Sequence, residues 1–272
     1  MQKGLSHLLD ADAPLAETLS ALTHRNRLRR RHILQGLAGA GLIASSPLRA
    51  LTCSIIPSET GGPFPADGTN GPNALAQSGI LRSDIRASFG SAGSAVAPGT
   101  PVTISLQITN ANDGCARLDG CAVYLWHCNA TGGYSLYSPG VTDQNYLRGV
   151  QVTDAMGHAT FTSIYPACYS GRWPHIHFEI YASVADAVSG AKAVKTSQLA
   201  LPESTSRAVY AQTALYPSSA ANLNQTSLAS DFVFSEDRGV HQIPTVTGSV
   251  AGGYALAFTA GIALRRPLAS RT

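Results

Sequence analysis

From Pro101 to Asn110 apolar and polar residues alternate without a break: Val102, Ile104, Leu106 and Ile108 against Thr103, Ser105, Gln107 and Thr109. Successive side chains of a strand point to opposite faces, so a period of two fits a half-buried β-strand and no helix. Short runs of the same kind recur. Ala122 to His127 is apolar on both faces and reads as a central strand. Tyr146–Thr153 and His158–Tyr165 flank Asp154-Ala155-Met156-Gly157, which predicts a hairpin. Tyr169 to Ile180 and Thr196 to Leu201 continue the series, Asp231–Phe234 and Ala255–Ile262 are expected as late strands, and Ile80–Arg86 as a short edge strand. Ala182–Lys195 reads as helix or loop, and 202–229 as irregular or briefly helical. Many short strands at spacings of roughly ten residues predict an all-β fold, an antiparallel β-sandwich with long loops.

Composition agrees. Only 13% of the 272 residues are charged, while 26 are Gly and 15 Pro, which suits short strands joined by turns. The net charge is +3, and its basic excess lies before residue 50. The remainder is near neutral, which excludes a nucleic-acid footprint. The first fifty residues read instead as an export segment: Arg25 to Arg31 is basic, Gly36 to Ser46 is mildly apolar, and small residues follow. Arg30-Arg31 before His32-Ile33-Leu34-Gln35 resembles a twin-arginine motif, with cleavage expected after Ala44 or Ala50. The apolar run is too short for a stable membrane span. Thr52 before Cys53 disfavours lipid anchoring at that cysteine. The expected organisation is therefore an export segment over 1–50, addressed to the periplasm or exterior, and one β-sandwich domain over 51–272. Cys53, Cys115, Cys121, Cys128 and Cys168 suffice for one or two disulfides, whose pairing the sequence leaves open.

The chemistry concentrates at Tyr169-Ser170-Gly171-Arg172-Trp173-Pro174-His175-Ile176-His177. On a strand, His175 and His177 share a face while Ile176, Phe178 and Ile180 turn to the core. A His-x-His pair alone is a weak metal signal. Arg172 three residues earlier, and Tyr134, Tyr137, Tyr165 and Tyr169 in the flanking loops, strengthen it. Glu179 is the nearest carboxylate. A free phenol titrates near ~10 and ionises at neutral pH only when a cation stabilises it. Two phenolates with two imidazoles suit Fe(III) better than Zn(II) or Fe(II), with copper left open.

Five pieces in order resemble the intradiol ring-cleavage dioxygenases, a family that includes catechol 1,2-dioxygenase and protocatechuate 3,4-dioxygenase. They are Glu59-Thr60-Gly61-Gly62-Pro63-Phe64; Val123 to Ala130 running into Gly133-Tyr134-Ser135; Tyr146 to Asp154 with Gly157; Tyr165-Pro166-Ala167-Cys168-Tyr169; and Arg172 to Phe178 with Thr196-Ser197-Gln198-Leu199. The resemblance covers about residues 57 to 201. It implies one Fe(III) per chain held by Tyr134, Tyr169, His175 and His177, with Tyr137 the competing choice for Tyr134. It implies that Tyr169 is the displaceable ligand, that Arg172 stabilises charge developing on the substrate, and that Gln198 supports it from behind. The implied reaction opens a catechol between its hydroxyls with O2 to a cis,cis-muconate-type dicarboxylate. Cys168, Ala167 and Cys121 depart from the family's usual residues. Trp126 and Tyr124 read as core, His127 as a hydrogen-bonded core histidine, and Arg148 and Asp154 as strand-end structure. The competing readings are a non-catalytic exported module that binds aromatics or sugars, and a copper or zinc site on the same scaffold. The particular catechol and the oligomeric state are not legible.

Overall fold

A computed structural model describes residues 53–264. The expected export segment over 1–50, with Arg30-Arg31, lies outside these residues. Among the described residues no helix is long and apolar enough to cross a membrane.

The strands form two sheets. One contains β1 (Pro101–Asn110), β2 (Ala116–Arg117), β5 (His158–Ile164), β8 (Thr245–Ser249) and β9 (Gly253–Ile262). The other runs in the order β4 (Arg148–Val152), β3 (Ala122–Trp126), β6 (His175–Tyr181), β7 (Lys195–Ala200), all antiparallel. The alternation in β1 does what its period requires. Val102, Ile104, Leu106 and Ile108 are buried between the sheets, each contributing roughly 2 kcal/mol of apolar burial. From the opposite sheet Ile176, Phe178 and Ile180 meet them, and Phe178 reaches Phe258 of β9 at 6.5 Å. The β-sandwich is as expected, except that β1 and β9 pair in parallel, Ile104 beside Leu256.

Three local expectations are corrected. Asp154–Gly157 is a tight turn, with Asp154 Oδ1 accepting from the amides of Met156 (2.8 Å) and His158 (2.9 Å), yet it makes no hairpin. β4 pairs with β3 and β5 pairs with β1, so the turn is a corner between sheets. The reason lies in Ile80–Arg86. It is not a continuous edge strand; it forms single bridges to both sheets, Leu81 to Val150 and Asp84 to Thr162. Val150 N–H donates to Ile80 (2.8 Å) and Thr162 C=O accepts from Ile85 (2.9 Å), so the flank β5 would need on β4 is taken. Gly149 is required there, because a Cβ would sit 2.4 Å from Ile85 Cγ2. Finally, Asp231–Phe234 is a turn rather than a strand: Asp231 Oδ1 accepts from the amides of Val233 (2.8 Å) and Phe234 (3.2 Å), which curls the backbone.

Between β6 and β7 lies α1 (Val184–Val188), capped by Ser183, whose Oγ accepts from Asp186 N–H at 3.1 Å. Within 202–229 are α2 (Glu203–Tyr210) and α3 (Ser219–Asn224). These two and the turns between them brace the segment leading to Tyr169. Tyr210 donates to Pro166 C=O and Tyr216 to Tyr165 C=O, each at 2.9 Å. Cys168 is held on both sides by α3, its amide donating to Ser219 Oγ (3.1 Å) and its carbonyl accepting from Asn222 Nδ2 (2.9 Å). A disulfide joins Cys53 to Cys115, while Cys121, Cys128 and Cys168 are buried free thiols.

Candidate functional site

β6 places His175 and His177 on the face away from the sandwich interior. The neighbouring strand supports them: Trp126 lies opposite His177 in register and stacks on it, ring centroids 4.9 Å apart and 5° from parallel. His175 Nδ1 lies 2.5 Å from Trp173 C=O. A carbonyl only accepts, so that nitrogen carries the proton and Nε2 presents a lone pair. Nε2 of His177 lies 3.1 Å away, and its Nδ1 has no partner among the described residues. Burial, then the Arg172 charge, pushes His175 down to about 3. Burial, with His175 next, pushes His177 well down. Both rings are therefore neutral at ordinary pH.

The first tyrosine comes from the loop after β3. Asn129 Oδ1 folds that loop by accepting from the amides of Thr131 (3.0 Å) and Gly133 (2.8 Å) and from Thr131 Oγ1 (2.9 Å). Gly132 has φ 90°, and a Cβ there would come within 3.1 Å of Tyr169 Cβ. Tyr134 is thereby sunk among the histidines, its hydroxyl 3.2 Å from both Nε2 atoms. The hydroxyl of Tyr137, by contrast, accepts from Ala66 N–H (2.9 Å) and donates to Asn70 C=O (3.2 Å), away from the cluster. The half-buried Tyr169 completes the group, 3.1 Å from His175 Nε2 and 3.3 Å from Tyr134. Burial pushes Tyr169 up to about 12 and Tyr134 well above the usual phenol value.

Among the described residues no three His, Cys, Asp or Glu gather as a metal site. The cluster is instead two imidazoles and two phenols. Five of its six donor pairs are 3.1 to 3.3 Å apart, where bonds of about 2 Å at roughly 100° would put them. Two buried, uncharged imidazoles aiming Nε2 at each other gain little without a cation between them. The hard phenol oxygens suit a hard trivalent ion, so the donor set fits iron.

Arg172 stands beside the cluster, Nη1 3.4 Å from His175 Nε2. Its Nη2 donates to Gln198 Oε1 (2.7 Å), and Gln198 Nε2 donates to Thr60 C=O (2.8 Å), tying the arginine to the lead-in segment. Its Nε donates to Asp231 Oδ2 at 2.9 Å, an ion pair whose side chains are 7% and 0% exposed. Asp231 escaped the sequence reading, which placed it in a strand; the only trace was an acid heading an aromatic run, 59 residues from its partner. Phe64, quoted above only as part of a motif, packs on Tyr134 at 5.0 Å. Cys168 lies next to the cluster as a core thiol that donates to Arg172 C=O (3.4 Å), and burial pushes it up to about 12.

His127 and Arg148, read as structural, are tied into the fold by hydrogen bonds. His127 bonds Cys128 C=O (2.8 Å) and Ser163 Oγ (2.7 Å). The buried Arg148 donates to Pro65 C=O, Ser135 and Tyr124. Glu179 accepts from Tyr181 and Thr196 and does not join the cluster.

Residues 83–191 match a family model described as Dioxygenase. No curated protein sequence matches. Among solved structures, an intradiol ring-cleavage dioxygenase from Tetranychus urticae is 23% identical, covering 79% of this chain and 96% of its own, with a TM-score of 0.58. The crystal structure of another dioxygenase has the same identity and coverage at a TM-score of 0.62. At this identity the likeness is one of fold.

Proposed function

We propose that this chain is an exported, Fe(III)-dependent intradiol ring-cleavage dioxygenase that opens a catecholic ring between its two hydroxyls, a reading supported by the matching family segment and the fold. The product is a cis,cis-muconate-type dicarboxylate that holds both atoms of O2. The observation that carries the reading is the convergence of Tyr134, Tyr169, His175 and His177 on one point. These four residues would hold the iron, which when bound would act as a Lewis acid and electron acceptor toward the diol and make its ring reactive toward O2. Diol plus O2 equals the diacid atom for atom, so no reductant is required.

The protein's own groups divide the rest. Tyr134 is fully buried and fixed; Tyr169 is partly exposed on a loop, and as a phenolate it is the base that takes a proton from the incoming diol. The neutral histidines take no part in that proton transfer, because burial disfavours their charged forms. Arg172 stabilises negative charge as the ring opens, and acts strongly because its site is largely dry. Asp231 and Gln198 hold its guanidinium in place. Trp126 behind His177 and Phe64 beside Tyr134 keep water from the inner side. The Cys53–Cys115 disulfide supports export, since such bonds persist in oxidising compartments.

The test is metal content, colour and oxygen uptake of the purified protein across catechol, hydroxyquinol, protocatechuate and larger plant-derived diols. The expected result is a visible tyrosinate band, about one iron per chain and one O2 consumed per diol. Colourless, metal-free protein that binds diols without uptake would establish the binding-module reading. Copper or zinc without the band would establish the third.

A further inference from the structure

The turn over Asp231–Phe234 buries every residue but one. Asp231 is 0% exposed, Val233 8% and Phe234 0%, while Phe232 is 69% exposed. A lone exposed aromatic is ordinary. This one is not free to wander, because four hydrogen bonds fix the carboxylate before it: Asp231 Oδ2 accepts from Arg172 Nε (2.9 Å) and Trp173 N–H (2.6 Å), and Oδ1 from Val233 and Phe234 N–H. The Phe232 ring is thereby held over the Arg172 guanidinium, 4.8 Å from centroid to Cζ, with Phe234 at 6.0 Å. The same guanidinium reaches His175 Nε2 at 3.4 Å. An apolar ring face thus stands at the rim of the site, one residue removed from the cluster, with its outer side open to solvent.

From this geometry we propose that Phe232 is a substrate-specificity residue: an aromatic platform that receives a second ring or arylalkyl group on the catechol. The class of substrate is then two-ring diols rather than the bare catechol. This rests on the proposed function and deepens it. A diol bound at the four donors with Arg172 alongside directs any large substituent outward, since Trp126, Phe64 and Tyr134 fill the inner side. At the rim the substituent meets a ring already polarised by a cation beneath it. The alternative role, in which Phe232 merely shields Arg172, needs no discrimination between diols.

The experiment compares wild type, Phe232→Ala and Phe232→Trp with catechol and 4-phenylcatechol. It uses oxygen uptake and, separately, calorimetric binding without O2. Phe232→Ala is expected to lower the ratio of kcat/KM for 4-phenylcatechol over catechol roughly 3- to 10-fold, through KM, with a matching loss in anaerobic binding. Phe232→Trp is expected to retain the preference. An unchanged ratio in Phe232→Ala, in turnover and in binding, overturns the platform. Absence of uptake with either diol in wild type overturns the proposed function instead, and the binding ratio then still decides on Phe232.

Discussion

Asp231→Asn isolates the link that the whole arginine wall depends on. In the native site the carboxylate accepts four hydrogen bonds, two on each oxygen. Asn keeps an oxygen for Val233 and Phe234 but turns an NH2 toward Arg172 Nε–H and Trp173 N–H. Two charge-assisted bonds are lost, one of them an ion pair, and two buried donors face a third. A charged hydrogen bond is worth about 1.5–3 kcal/mol and a stranded buried donor costs about 1–3, so the expected loss is about 3–5 kcal/mol. That equals the usual cost of breaking a buried ion pair from one side. For a domain of this size the midpoint of thermal unfolding should fall by about 10 °C. Activity should fall further, at least roughly tenfold in kcat/KM, because the guanidinium loses its orientation. Removing both charges in Arg172→Met/Asp231→Asn should cost less than the two single changes added together, by about 2 kcal/mol or more. A midpoint for Asp231→Asn within about 2 °C of wild type, or strict additivity in the double variant, would refute the reasoning.

Three further outcomes follow from the geometry. Tyr134→Phe and His177→Ala should lose iron or the tyrosinate band; a His177→Ala protein with full colour and turnover would remove it from the ligand set. His127 is buried neutral and pushed down to about 4 by desolvation, so the unfolded chain binds its proton first and stability falls as pH drops from about 6.5 toward 4. Between pH 7.5 and 5 this costs about 2 kcal/mol, and His127→Gln should show a pH dependence of unfolding smaller by that amount. Reducing the Cys53–Cys115 bond, which closes a loop across a separation of 62, should cost up to about 4 kcal/mol and lower the unfolding midpoint without removing iron.

What the sequence showed and what it hid divide along physical lines. β1 was legible because one face is buried for most of its length and period-two alternation records it; β6 is buried on both faces, and was legible because apolar Ile176, Phe178 and Ile180 alternate with polar His175, His177 and Glu179. The gathering of Tyr134 and Tyr169 with the histidines was legible only through resemblance; nothing in spacing brings residues 134 and 175 within 3.2 Å. The hairpin at Asp154–Gly157 misled because turn chemistry specifies a reversal of the chain and not which sheet receives the next strand. That choice was made by Ile80 and Ile85, buried in a segment whose pattern looked like an ordinary edge. Asp231-Phe232-Val233-Phe234 imitates a strand because aromatic and β-branched residues follow one another there, but the run belongs to a turn wound around a carboxylate. A long-range ion pair leaves no periodic mark, so the partner of Arg172 was invisible.

The protonation preferences of the cluster bear on why Tyr169, and not Tyr134, is the displaceable ligand in the proposed function. Burial pushes both phenols up and both imidazoles down, so every donor is neutral when nothing balances it. The Arg172 and Asp231 charges cancel each other. A trivalent cation held there would need three negative charges to balance it, of which the two phenolates supply two. A diol bound as a dianion would bring two more, so one phenolate would take up a proton and the sum would return to zero at a site where a net charge is costly. Tyr169 is suited to leave because its loop side is open and its preferred free form is the neutral phenol. Tyr134 has no room to move: its ring is packed by Phe64 at 5.0 Å and by His177 at 6.1 Å, and its amide is fixed to Ser138. The difference between a fixed and a mobile tyrosine is therefore one of packing, since both phenols favour the same protonation state.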